Sequence, residues 1–101
     1  MNMQQMVQAM QRTKREYEKD YAKLEAKSFT ENANGAVEVT LKGDFTLENI
    51  NVLDNDLLKP ENKDELTQMI ILAYTKCKEA IGKESDAISA KYSSPNGGMG
   101  F

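Results

Sequence analysis

Between residues 3 and 26 the apolar side chains Met3, Met6, Val7, Met10, Tyr17, Tyr21 and Leu24 recur at helical spacing, with no Gly or Pro to interrupt them. At ~100° per residue they fall in one arc about 100° wide, which predicts an amphipathic helix ~36 Å long. The period then changes. Ser28-Phe29-Thr30-Glu31 is short and β-compatible, and Asn32-Ala33-Asn34-Gly35 is a turn that contains the strongest short hairpin signal, Asn-Gly. Val37, Val39 and Leu41 alternate with Glu38, Thr40 and Lys42, as in a half-buried strand. After Gly43-Asp44 a third strand is expected over residues 45–52. Phe45 and Leu47 keep one register there and Ile50 and Val52 the other, so a bulge near Glu48-Asn49 is needed to reconcile them.

Leu53 to Lys59 reads as a polar loop from which Leu57-Leu58 turns back to the core. Pro60 suits a first helical turn, and Asn62 with Glu65 has the spacing of a capping box. A second helix is expected from about residue 60 to 92. Leu66, Met69, Ile70, Ala73, Cys77, Ile81 and Ile88 form its apolar stripe, widened by Ile71, Leu72 and Tyr74 to imply burial on more than one side. Gly82 suggests a bend or close contact. Residues 93–101, rich in Gly, should be a mobile tail after a single domain at 1–92. The predicted class is α+β in the order α-β-β-β-α, with a three-stranded antiparallel meander. A strand of such a sheet is ~20 Å long, shorter than either helix, so both apolar stripes outrun it. A second copy of the chain is the simplest cover. Met6, Met10, Tyr17, Tyr21, Val39, Leu41, Ile70 and Tyr74 are the expected core and dimer positions.

Composition narrows the function. A chain of 101 residues, 40% hydrophobic and 29% charged, has a soluble globular profile and a core small enough to favour oligomerisation. No apolar run approaches the ~20 residues of a membrane span. No secretory leader is visible, and the single cysteine cannot staple the fold, so a cytoplasmic location is expected. There is no histidine, CxxC or phosphate-binding glycine loop, and no paired-carboxylate or EF-hand pattern. Neither an enzyme nor a cofactor, metal or small-molecule substrate is expected.

The net charge is −3, but residues 1–27 carry +2 and the remainder −5. Arg12, Arg15, Lys19, Lys23 and Lys27 lie opposite the apolar arc of the first helix, within about 120°. A straight row of cations can neutralise several phosphates of a duplex. The plainer reading is a solvated face stitched by Arg12–Glu16, Glu16–Lys19 and Asp20–Lys23 pairs. Tyr17 and Tyr21 could stack on bases, although their place on the apolar arc favours packing. Met3, Met6 and Met10 could likewise serve as an adaptable partner surface or a helix-packing stripe.

Val37-Glu38-Val39-Thr40-Leu41-Lys42-Gly43, Ile50-Asn51-Val52 with Leu57-Leu58, and Leu66 to Tyr74 with Cys77 and Ile81 resemble, in order and spacing, the YbaB/EbfC family of nucleoid-associated proteins. The Met- and Gln-rich start and the Gly-Met-Phe end are similar too. The resemblance implies a tweezer-like homodimer with projecting helices that binds double-stranded DNA with loose sequence preference. The chain differs by one extra residue between Val52 and Leu57. Its last helix is also less basic, with Lys76, Lys78, Lys83 and Lys91 set against Glu79, Glu84 and Asp86. A protein-binding or adaptor dimer that has kept the fold is the alternative.

Overall fold

The computed structural model describes residues 2–93. Helix α1 spans Met3–Ala26, strands β1, β2 and β3 span Ser28–Ala33, Val37–Lys42 and Leu47–Val52, and helix α2 spans Lys63–Tyr92. The expected order α-β-β-β-α is found. The expectation for the tail over residues 94–101 lies outside the described residues.

Helix α1 starts at a reciprocal cap. The Asn2 side chain accepts from the Gln5 backbone N–H at 2.8 Å, and the Gln5 side chain accepts from the Asn2 N–H at 3.3 Å. This satisfies two donors that a helix start otherwise leaves open.

The sheet is an antiparallel meander in the order β1-β2-β3. Asn34 and Gly35 both have positive φ, 54° and 70°, and the Ala36 N–H donates to the Ala33 carbonyl at 2.8 Å, which makes the tight turn that Asn-Gly favours. β1 runs on to Ala33, beyond the expected Glu31, because Asn32 and Ala33 pair with Glu38 and Val37. At the next hairpin, Phe45 has φ 69°, a left-handed conformation uncommon for a bulky residue. That removes Phe45 from the strand, so β3 begins at Leu47 and not at residue 45. Thr40 faces Asn49 while Leu41 faces Leu47, leaving Glu48 as the extra residue of the expected bulge.

Val37, Val39 and Leu41 are fully buried beneath α2, whose Ala73, Cys77 and Ile81 form the contact. The Cys77 thiol donates to the carbonyls of Val39 (3.2 Å) and Phe29 (3.5 Å), and burial pushes its pKa up. α2 lies over β1 and β2 and scarcely reaches β3. Leu47 and Ile50 stand directly across from Leu41 and Val39, yet they remain 50% and 41% exposed. Ile71, Leu72 and Tyr74 are also open, so the expected burial of α2 on more than one side is not met within one chain. The uncovered side of the sheet is that of β3.

Four local expectations fail. Pro60–Asn62 forms a separate 3-10 turn, so α2 starts at Lys63. The Asn62 amide is already donating to the Asp56 carbonyl at 2.8 Å, and no capping box forms with Glu65. Leu57 is buried, whereas Leu58 points outward on the 3-10 turn Asn55–Leu58. Gly82 lies within continuous α2 helix, and a Cβ there would meet open space, so it marks no close contact. Gly43 does mark one: a Cβ on it would lie 1.8 Å from the Leu24 carbonyl oxygen. The bare Cα lets the end of α1 sit on the hairpin, where the Gly43 N–H donates to the Lys27 carbonyl at 2.9 Å.

Candidate nucleic-acid interface

The seat on Gly43 and the buried Leu24 fix the base of α1, and a second set of contacts fixes its direction. α1 and α2 run antiparallel. Lys27 pairs with Glu84, the Tyr21 hydroxyl meets the Ser85 hydroxyl at 2.8 Å, and the Tyr17 ring meets the Tyr92 ring edge-on at 5.4 Å between centroids. Tyr17 and Tyr21 are thus partly buried packing residues, 4.9 Å apart, as their place on the apolar arc implies. α2 ends at Tyr92, opposite Tyr17, so residues 3–16 of α1 project beyond it as an arm ~21 Å long. The molecule measures 70 × 22 × 15 Å.

On this arm and its base, Arg12, Arg15, Lys19, Lys23 and Lys27 are all exposed. Among the described residues, Arg12, Arg15, Lys19 and Lys23 have no carboxylate within 4 Å, and only Lys27 is paired. The Lys27 ammonium also lies 5.0 Å from the centroid of the Phe29 ring. None of the expected stitching pairs along α1 forms as an ion pair among these residues.

Asp20 is the reason for part of this. It sits on the margin of the cationic face, but its carboxylate turns to α2 and accepts from the Tyr92 hydroxyl at 2.5 Å and the Lys91 ammonium at 3.0 Å. The Tyr92 bond, then the Lys91 bond, lowers the Asp20 pKa, and Asp20 raises the pKa of both partners in return. The clasp therefore ties the base of the arm to α2 and occupies a carboxylate that also feels the charge of Lys23. It joins residues more than 70 positions apart. The only signal for it in the sequence was the acid on the rim of the basic arc.

From Arg12 to Lys23 the row is ~16 Å long, close to the rise of five phosphates along one strand of a duplex at ~3.4 Å each. A row of this kind can bind a polyanion by charge. Among the described residues no cluster of Cys, Asp and Glu could hold a metal ion, and no helix is long and apolar enough to cross a membrane.

Residues 1–98 match the family model of the YbaB/EbfC DNA-binding family. A nucleoid-associated protein of Enterococcus faecalis is 33% identical over 92 residues, 90% of this chain and 88% of that one. A nucleoid-associated protein of Ligilactobacillus salivarius is 30% identical over 94 residues, 92% of this chain and 89% of that one. The solved structure of an uncharacterised protein from Helicobacter pylori superposes with a TM-score of 0.72 at 20% identity, covering 90% of this chain and 96% of that one. This last likeness is one of fold.

Proposed function

Because the chain belongs to the YbaB/EbfC DNA-binding family, we propose that it is a cytoplasmic, nucleoid-associated homodimer that grips double-stranded DNA by its phosphates with little sequence preference. Arg12, Arg15, Lys19 and Lys23 make the contacts, and Lys27 anchors the base of the row. The observation that carries this reading is the freedom of those four cations. They stand in water without a carboxylate partner, while the acid beside them is bound to α2. Cations already in water lose little on meeting a phosphate, and the counterions they displace drive binding. Contacts of this kind carry no base information, hence the low specificity.

The two-chain body is supported by the uncovered side of the sheet. Phe45, Leu47 and Ile50 beside the sheet and Ile71 and Tyr74 on α2 are large apolar side chains left open by a single chain. Burying each such side chain is worth roughly 1.5–3 kcal/mol when complete. Pairing of two copies through them would double the cationic rows offered to one duplex.

A ~30-bp duplex titrated by fluorescence anisotropy at low salt tests the reading. Binding is expected, and changing Lys19 and Lys23 together to Glu abolishes it without altering the mass of the free protein. Unchanged affinity in that variant would clear this face of a role. A second reading, a dimer that binds proteins in place of DNA, is favoured by the net charge of −3 and by Glu79 and Asp86 exposed on α2. Co-purification of a protein partner with no shift on DNA would select it.

A further inference from the structure

The apolar side of α1 is more regular than an amphipathic arc requires. Met3, Val7, Met10, Lys14, Tyr17, Tyr21 and Leu24 follow one another at alternating steps of four and three residues. That is the seam of an antiparallel or parallel helix pair, in which each side chain fits a hole made by four residues of the facing helix. α2 fills the lower half, against Tyr17, Tyr21 and Leu24, and then stops. The upper half continues as an open, mainly apolar groove lined by Val7, Met10, Gln11, Thr13, Lys14, Tyr17 and Glu18. Met3, Val7 and Met10 there are 80%, 46% and 57% exposed.

We infer that the occupant of this upper seam is the same segment of a second copy, paired antiparallel, so that the arm of one dimer docks on the arm of another. Three features select this occupant. First, α2 already runs antiparallel to α1, and an antiparallel second α1 would continue along the seam in α2's direction. Its N-terminus would then abut the C-terminus of α2, joining the positive end of one helix dipole to the negative end of the other. The first turn of α1 holds no acidic residue to oppose this. Second, the positions flanking the upper seam are Gln4, Met6, Gln11 and Thr13, all uncharged, whereas Arg12 and Arg15 lie on the far side. Two copies can approach without setting like charges together, and the cationic rows stay free. Third, the charges and bulk exclude the parallel arrangement. It would face Lys14 with Lys14 and drive two α2 helices into one space. The antiparallel register places Val7 against Met10 of the second copy and Lys14 at its helix end, where a long side chain can reach water.

The paired stretch is about 12 residues, or ~18 Å, fewer than the roughly 20–30 residues a side of a standard interface. The association is therefore weak for one arm. It gains from having two arms per dimer and from concentration along DNA. The consequence is a protein that links dimers, and so links duplexes. The inference rests on the proposed two-chain body only in reading the linked species as four chains, and it needs no DNA to be tested.

The test uses full-length Val7→Cys and Met10→Cys chains, oxidised mildly alone and mixed. The native Cys77 is fully buried and stays out of the reaction. Disulfides need Cβ atoms within about 4.5 Å, so the mixed bridge, from position 7 of one chain to position 10 of the other, should form in preference to either self-bridge. In sedimentation equilibrium the wild type should rise from two to four chains with concentration. Val7→Glu with Met10→Glu should stay at two, with an unchanged circular dichroism spectrum. Loss of the central dimer in Ile50→Glu should leave the mixed bridge in place, which separates failure of the dimer reading from failure of this one. No preference for the mixed bridge, or equal masses for wild type and the Val7→Glu, Met10→Glu variant up to about 1 mM, would overturn the inference. Association that appears only after removal of residues 94–101 would also overturn it, by giving the seam to that segment.

Discussion

Replacing Gly43 with Ala should be among the most damaging single changes available to this chain, although it adds one methyl group. The new Cβ would lie 1.8 Å from the Leu24 carbonyl oxygen, 2.6 Å from its carbon and 3.2 Å from the Glu25 Cα. All three are backbone atoms, so no rotamer change relieves the overlap. Ordinary contact requires the end of α1 and the β2–β3 hairpin to separate by roughly 1.5 Å. Overpacking of this kind costs about 1–3 kcal/mol. The same movement stretches the Gly43 to Lys27 backbone bond, now 2.9 Å, which is worth about 1 kcal/mol. A loss of about 3 kcal/mol is a large part of the stability of a domain this small. In urea, with an m-value of about 1 kcal/mol/M for a short chain, the midpoint should fall by about 2–3 M at fixed protein concentration and unchanged m. A midpoint within ~0.3 M of wild type would show that α1 does not sit on the hairpin as described.

Two further changes probe the other joints. Asp20→Asn removes a carboxylate whose pKa the fold depresses, so the stability it contributes is present above the ordinary carboxyl pKa of ~4 and fades as the pH falls through the folded value. The gap between wild type and Asp20→Asn should be constant above about pH 5 and close in acid; a gap independent of pH would remove the Tyr92–Lys91 clasp as its source. Leu47→Glu with Ile50→Glu places two charges on the open side of the sheet, where one chain tolerates them and a paired one does not. Light scattering should report a single-chain mass for this variant, and an unchanged two-chain mass would place the dimer contact elsewhere.

Much of this architecture could be read from local pattern. Val37, Val39 and Leu41 announce a strand with one buried face, Asn34-Gly35 its turn, and the clash of register between Leu47 and Ile50 the bulge at Glu48. These features depend on neighbours within a few residues, and the physics that sets them is equally local. What could not be read depends on distant partners. Asn62 has the spacing of a helix cap, but its amide is claimed by Asp56, six residues back, and Pro60 has already turned the chain. Phe45 looks like a strand residue, yet the hairpin holds it at positive φ. Most consequential is Asp20. By spacing it belongs to Lys23 on the same helix, and its bonds go to Lys91 and Tyr92 on the other. The cationic row was legible residue by residue, while part of its freedom from carboxylates depends on a long-range contact.

The salt dependence of DNA binding addresses that freedom most directly. Each phosphate neutralised on B-form DNA contributes about −0.9 to the slope of log K against log salt. Four free cations on each of two arms therefore predict a slope approaching roughly −7 for the dimer. Lys19→Gln with Lys23→Gln removes four of the eight charges and should bring the slope to about −3.5, with the two-chain mass intact. A wild-type slope near zero, or one that these substitutions leave unchanged, would contradict the account.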